Sequence, residues 1–207
     1  MFPLLSKFIH RALKEEKKIS EGRKADLARL ADFIRAQRQE GHPVQLLFVC
    51  TQNSRRSQMA QIWAAAAAAW FDMGDTKTFS GGTEVSAFNP RAVEALIRAG
   101  FHIHDFGGEN PRYRVTYAEE GPAMVCYSKR YDDPANPMSG FVAIMVCSDA
   151  DQACPFVPGA AFRLSLPYED PKIADGKASE SAAYDKRSLQ IASEILYLLG
   201  LVKGASN

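Results

Sequence analysis

Apolar positions along the chain follow two different periods. Before residue 43 they recur every three or four residues: Phe2, Leu4, Leu5, Phe8, Ile9 and Leu13, then Leu27, Leu30, Ala31 and Ile34. This spacing predicts two amphipathic helices, one over residues 1–19 and one capped by Ser20 and ended by Gly41 and Pro43. From Val44 the pattern becomes a short, almost continuous apolar run, Val44-Gln45-Leu46-Leu47-Phe48-Val49, ending in Cys50. That predicts a buried strand. A polar loop follows, and residues 57–73 then predict a crossover helix. Its Ala64–Ala69 run, between Trp63 and Trp70, is a strong helix former with little bulk and allows close approach to a sheet. Lys77–Gly82 predicts a second strand. Asn89-Pro90 opens a helix that runs to Ala99 and stops at Gly100.

The second half is less regular at first. Arg112–Ala118 and Pro122–Lys129 predict a hairpin joined by Glu119-Glu120-Gly121. Tyr131–Gly140, with two prolines, predicts loop. Phe141–Cys147 is a continuous apolar run of the kind found in buried parallel strands. A helical turn holding Cys154 comes next, then a strand at Ala161–Leu166, a loop at Leu166–Gly176 and a helix at Tyr184–Gly200. Strands alternating with helices predict an α/β fold with an open parallel sheet and helices on both faces. Ligands then bind at the strand C-termini, where Cys50 lies. The expected organisation is a helical extension, 1–42, and one domain, 43–203, carrying a β-hairpin insertion.

Composition narrows the partners. The net charge of +1 argues against nucleic acid. The charge is unevenly spread, ten Lys/Arg against six Asp/Glu in residues 1–42, so the first helix is basic as well as amphipathic. Such a helix can meet a membrane surface or a partner; packing on the body or on a second copy of the chain, as a homodimer, is the simpler expectation. No apolar run approaches the ~20 residues needed to span a bilayer. Lys7 and His10-Arg11 interrupt the N-terminal apolar positions without a cleavage-site pattern, so a cytoplasmic protein is expected. Four cysteines do not make a disulfide scaffold in a chain of 207 residues.

Chemistry concentrates at Cys50-Thr51-Gln52-Asn53-Ser54-Arg55-Arg56-Ser57. Strand, loop and helix make backbone N–H groups and a helix N-terminus converge on one point, which suits an anion. A thiol in that field is favoured as thiolate, and Arg56 offers a planar fork matched to a tetrahedral oxyanion. Ser57 is placed to cap the helix and to donate to the sulfur. A buried strand-end cysteine followed by an ordinary charged turn is the plainer alternative for the same residues.

The run Phe48–Ala60 resembles the phosphate loop of the low-molecular-weight protein tyrosine phosphatase superfamily, and within it the thioredoxin-coupled arsenate reductases. Ser80-Gly81-Gly82-Thr83 with Asn89-Pro90, Cys147-Ser148-Asp149-Ala150-Asp151-Gln152-Ala153-Cys154-Pro155, and Glu169-Asp170-Pro171 agree with it. The resemblance covers about residues 44–200, but neither the first helices nor residues 110–140. It implies a flavodoxin-like sheet of order 2-1-3-4 and in-line displacement at phosphorus or arsenic. Cys50 would be the nucleophile. Arg56 and the N–H groups of residues 51–57 would clamp the oxyanion, Asn53 would brace the loop and Ser57 would assist the thiolate. Asp170 would be the general acid. In an arsenate reductase a second cysteine, matched by Cys147, attacks the arsenylated nucleophile. A third, matched by Cys154, then leaves a disulfide for thioredoxin. No cofactor or metal is implied. Gln52 stands where a loop glycine is usual and Arg55 where cysteine is common. Gln61 replaces a glutamate that helps bind potassium in some arsenate reductases.

Other candidates have plainer roles. Cys147 and Cys154 would lie about 10 Å apart on an unbroken helix, beyond the ~7 Å that a disulfide allows, so pairing needs that segment to unwind. Cys126 is expected in packing. His102 and His104 have no Cys or acidic companions at metal spacing. A second Asp-Pro pair, Asp133-Pro134, competes with Asp170 for the acid role, but lies outside the resemblance. The leading expectation is an arsenate reductase-like enzyme. The alternative is a phosphatase hydrolysing phosphotyrosine proteins or small monoesters through a phosphocysteine, and a more distant one a non-catalytic oxyanion-binding or adaptor module.

Overall fold

Strand β1 (Gln45–Cys50) is buried from Leu46 onward, and such a strand belongs inside a sheet with both faces covered. It lies between β2 (Lys77–Gly82) and β6 (Phe141–Met145), both parallel to it, and β7 (Ala160–Ser165) completes the sheet outside β6. In the computed structural model the order is β2-β1-β6-β7, the 2-1-3-4 order expected when the four strands of this sheet are counted by themselves. The structure describes residues 1–154 and 156–204; Pro155, which closes the motif starting at Cys147, lies outside the described residues.

Helix α3 (Arg56–Trp70) crosses from β1 to β2 and packs against both and against α6 (Glu180–Lys203). Ala64, Ala66, Ala67 and Ala68 are buried along it, which is where the small side chains permit close approach. α3 ends three residues earlier than its composition suggests, and Asp72 follows at φ 54°. α6 begins four residues earlier than expected, where Glu180 accepts the Gly176 N–H at 2.6 Å. α4 (Pro90–Ala99) has the expected bounds, with Asn89 as N-cap accepting from Arg91 N–H.

Residues 102–126 form a separate antiparallel sheet. The expected hairpin is present but shorter, as β4 (Tyr113–Thr116) and β5 (Met124–Cys126). β3 (His102–Asp105) joins β4 as an unanticipated third strand. Its side chains are mostly exposed, so no hydrophobic period announces it and backbone pairing alone defines it.

The extension shares the domain's core. α1 (Pro3–Lys14) and α2 (Glu21–Gln39) bury Leu5, Ile9, Leu27, Leu30 and Ile34, each at most 1% exposed. Phe8 stacks on Trp63 at 5.0 Å between ring centroids and Phe33 on Phe162 at 4.6 Å. Truncating such a leucine or isoleucine to alanine costs about 2–5 kcal/mol. α1 also crosses the end of α4 at Gly100, whose φ is +108°; a Cβ there would lie 2.4 Å from Leu5 N. No helix among the described residues is long and apolar enough to cross a membrane.

Candidate active site

Cys50 is the last residue of β1 and pairs in register with Gly82, the last of β2. The loop 51–55 turns over Gly82 so closely that a Cβ there would meet Thr51 O at 2.6 Å and Asn53 N at 2.8 Å. Asn53 sits at φ 47°, a left-handed conformation that asparagine tolerates better than most residues. Its amide is fully buried and spoken for on both sides. Oδ1 accepts Lys129 N–H at 3.0 Å and Gln58 Nε2 at 3.1 Å, while Nδ2 donates to Ser57 Oγ at 2.8 Å.

That last bond orients a proton. Ser57 Oγ lies 3.0 Å from Cys50 Sγ. Because the hydroxyl oxygen already accepts from Asn53, its own hydrogen is free to donate to the sulfur. Ser57 is not the helix cap that its position suggests: α3 starts at Arg56, with Arg55 as N-cap residue.

The loop is floored by the insertion. Ser128 Oγ donates to Gln52 O at 2.9 Å, and Gln58 Nε2 donates to Tyr127 O at 2.8 Å. Gly82 N–H donates to Lys129 O at 2.8 Å and Tyr131 N–H to Gly82 O at 2.9 Å. Residues 127–131 therefore edge β2 while bracing the loop. The resemblance says nothing of these residues; the one sequence signal is Ser128-Lys129 standing polar after the Met124–Tyr127 run.

Above the loop, Arg56 spreads its fork toward the loop after β7. One terminal nitrogen donates to Tyr168 O at 2.9 Å and the other to Asp170 Oδ2 at 2.8 Å. Asp170 Oδ1 accepts Lys172 N–H at 3.0 Å, which aims the carboxylate. Arg55 is bonded toward α6: its Nε donates to the Tyr184 hydroxyl at 3.0 Å, and Asp170 and Asp175 lie within 4 Å. Burial and the Asp175 carboxylate push the Tyr184 phenol up to about 12, against the Arg55 charge. The cleft bounded by Cys50, Thr51, Gln52, Ser54, Arg55, Arg56, Asp149, Asp170 and Lys172 has a volume of about 90 Å³. A larger groove, about 1090 Å³, lies between the extension and α6 and contains none of these residues.

Asp133 stands apart from this cleft, its carboxylate accepting Ala135 N–H at 2.8 Å in a local turn. Cys147 is close to it: its buried Sγ lies 3.5 Å from Thr51 Oγ1 and accepts Ala150 N–H at 3.4 Å, capping α5 (Ser148–Ala153). Cys154 follows α5 at its other end, so an intact helix separates the two thiols. All four cysteines are free. Cys126 is wholly buried, and burial pushes its thiol up to about 12 despite nearby Lys129. His102 stacks on Phe2 and His104 meets Phe106 edge-on. Gln61 donates to Thr78 O at 3.2 Å. Among the described residues no group of three His, Cys, Asp or Glu side chains could hold a metal ion.

No family model matches the chain. Among curated proteins it is 30% identical over 143 residues to the arsenate reductase of Bacillus licheniformis, covering 69% of this chain and 84% of that protein. It is 28% identical to the arsenate reductase of Bacillus subtilis with the same coverage. Among solved structures it is similar to a low-molecular-weight protein tyrosine phosphatase from Bacillus subtilis, with TM-score 0.52, 17% identity, and coverage of 78% of this chain and 99% of that one. A low-molecular-weight phosphotyrosine phosphatase from Vibrio cholerae gives TM-score 0.51 and 18% identity, covering 75% and 94%.

Proposed function

This chain belongs to the low-molecular-weight protein tyrosine phosphatase superfamily, and from that premise we propose that it is an arsenate reductase-like enzyme with Cys50 as nucleophile. The Cys50 thiolate attacks arsenic in line, and the displaced oxygen leaves with a proton from Asp170. Arg56 and the loop N–H groups of residues 51–57 hold the remaining oxygens. Cys147 then attacks Cys50 Sγ; the S–As bond breaks, its electron pair stays on arsenic, and As(V) becomes As(III). The thiols are oxidised to a Cys50–Cys147 disulfide. Cys154 attacks Cys147 Sγ, frees Cys50, and leaves a Cys147–Cys154 disulfide for a dithiol reductant of the thioredoxin class.

The observation that carries this reading is the 3.5 Å approach of Cys147 Sγ to Thr51 Oγ1, which brings a second thiol to the residue next to the nucleophile. A second reading, hydrolysis of a phosphate monoester or phosphotyrosine through a phosphocysteine, is favoured by the intact α5 between Cys147 and Cys154. Nucleophile, clamp and acid suffice for it without a relay. Turnover of arsenate with thioredoxin and of an aryl phosphate, measured side by side, separates the two. In the reductase reading Cys147→Ser and Cys154→Ser each abolish arsenate turnover and leave aryl-phosphate hydrolysis intact. Arsenate turnover undiminished in both variants would give the assignment to the phosphatase.

A further inference from the structure

The N-terminal extension meets the loop that carries Asp170 through Arg23, in the first turn of α2. Its side chain is 16% exposed, and its Nε donates to Glu194 Oε2 on α6 at 2.8 Å. One terminal nitrogen donates to Pro167 O at 3.3 Å, and the guanidinium lies 4.8 Å above the Tyr168 ring. Glu194 is held in turn by Gln190 Nε2, which donates to its other oxygen at 3.0 Å. Burial, reinforced by the Glu194 carboxylate, keeps the Tyr168 phenol well above its ordinary range, so it stays a neutral O–H group.

Tyr168 is also tied on its backbone side. Its N–H donates to Val146 O at 3.1 Å and its carbonyl accepts from Arg56 at 2.9 Å. The residue two places before Asp170 is therefore gripped twice: by the Cys147 strand end and Arg56 through its main chain, and by Arg23 through its ring. Arginine suits this place because one edge of its plane serves Glu194, the other serves Pro167, and its face covers an aromatic ring. A lysine cannot do all three at once.

We propose that Arg23 is a positioning residue for the reaction at Cys50. By holding Pro167 and Tyr168 it sets the reach of Asp170, so the extension is part of the working enzyme. The inference rests on the reading of Asp170 as general acid. A misplacement of about 1 Å at a reacting group can cost ~10²-fold, which sets the scale of the expected effect.

Two variants keep the test clear of misfolding. Arg23→Lys retains a charge for Glu194, and Arg23→Met with Glu194→Gln removes the pair together, leaving no buried carboxylate unpaired. Both are expected to fold and to lose about 10–100-fold in kcat on phenyl phosphate with little change in KM. The loss on nitrophenyl phosphate, whose leaving group needs no proton, should be smaller. Amide exchange at residues 166–172 should quicken while Cys50 alkylation is unchanged, and in an Asp170→Asn background the Arg23 change should add nothing. Unchanged exchange at 166–172, or equal losses on both substrates that add in full to those of Asp170→Asn, would overturn the proposal. Should Asp170→Asn itself show no leaving-group dependence while exchange still responds to Arg23, the acid assignment fails and the loop-holding role stands.

Discussion

Arg56 and Asp170 are bonded to each other, guanidinium to carboxylate at 2.8 Å, with both side chains less than a fifth exposed. The group proposed to clamp the oxyanion thus also holds the group proposed to protonate its leaving oxygen. For Asp170 to donate to a substrate oxygen, the fork has to turn from the carboxylate toward the oxyanion. In the proposed mechanism, binding and acid catalysis are therefore coupled through one hydrogen bond.

Asp170→Asn should therefore separate the two effects. Loss of a general acid costs ~10²–10⁴-fold in rate, so hydrolysis of phenyl phosphate should fall far more than that of nitrophenyl phosphate. Inhibition by inorganic phosphate should stay as strong or strengthen, because the amide competes less for Arg56. Asp133→Asn should match wild type on both substrates. The opposite pattern between the two aspartates would move the acid to the 131–140 loop.

Cysteine labelling should sort the thiols. Cys50 should react with iodoacetamide and be protected by phosphate or arsenate. Ser57→Ala should slow it by about 10–100-fold, the worth of one hydrogen bond to a charged group. Cys126, near 12 by burial, has about one thiolate in a thousand at pH 9 and should remain unlabelled in the native protein. Peptide mapping after labelling reads both. Equal rates at Cys50 with and without Ser57 would remove the hydroxyl from the mechanism.

Asn53→Asp tests the direction of the Ser57 proton. The carboxylate keeps the acceptors for Lys129 N–H and Gln58 but cannot donate to Ser57, so the hydroxyl should turn from Cys50 to the aspartate. Cys50 alkylation should slow as in Ser57→Ala, with a smaller change in melting temperature than Asn53→Ala causes. The alanine leaves the buried Lys129 N–H unmet, at about 1–3 kcal/mol, while Gln58 keeps Tyr127 O.

Lys129 offers a pH signature. The residue is 5% exposed, and burial holds the amine below its ordinary 10.5, partly offset by Cys126 and Asp133. In the window between the lowered value and 10.5 the unfolded chain binds more protons than the folded one, so stability rises with pH there. Below that window the cost of the buried charge is present in full. Lys129→Met should accordingly be at least as stable as wild type at pH 7, with its relative advantage shrinking as pH approaches 10.5, in denaturant titrations. A gap independent of pH would show that Lys129 is charged alike in both states.

Much of this arrangement was legible in the chain because it is local. A six-residue apolar strand, a polar loop and an Ala-rich helix define the Cys50 turn within thirty residues. Ser57 was misplaced as a cap because Asn53, whose own posture depends on Lys129, draws its hydroxyl inward. β3 was invisible because His102, His104 and Asp105 alternate with nothing apolar except Ile103. Arg23 and Glu194 are 171 residues apart in sequence, and only the packing of α2 on α6 joins them.

The short helix α5 has a consequence for how an oxidised form would return to service. It has six residues, too few to persist by itself, and β7 holds it: Arg163 donates to Asp151 O at 2.8 Å and to Cys154 O at 3.1 Å, and Ser165 Oγ donates to Asp151 Oδ2 at 2.7 Å. Joining Cys147 to Cys154 would uncoil this helix and strip those contacts. The disulfide would then be a latch held against a spring, and opening it would let Arg163 and Ser165 rewind the segment. The ease of recycling would be written into two side chains of a strand that lies outside the Cys50 loop.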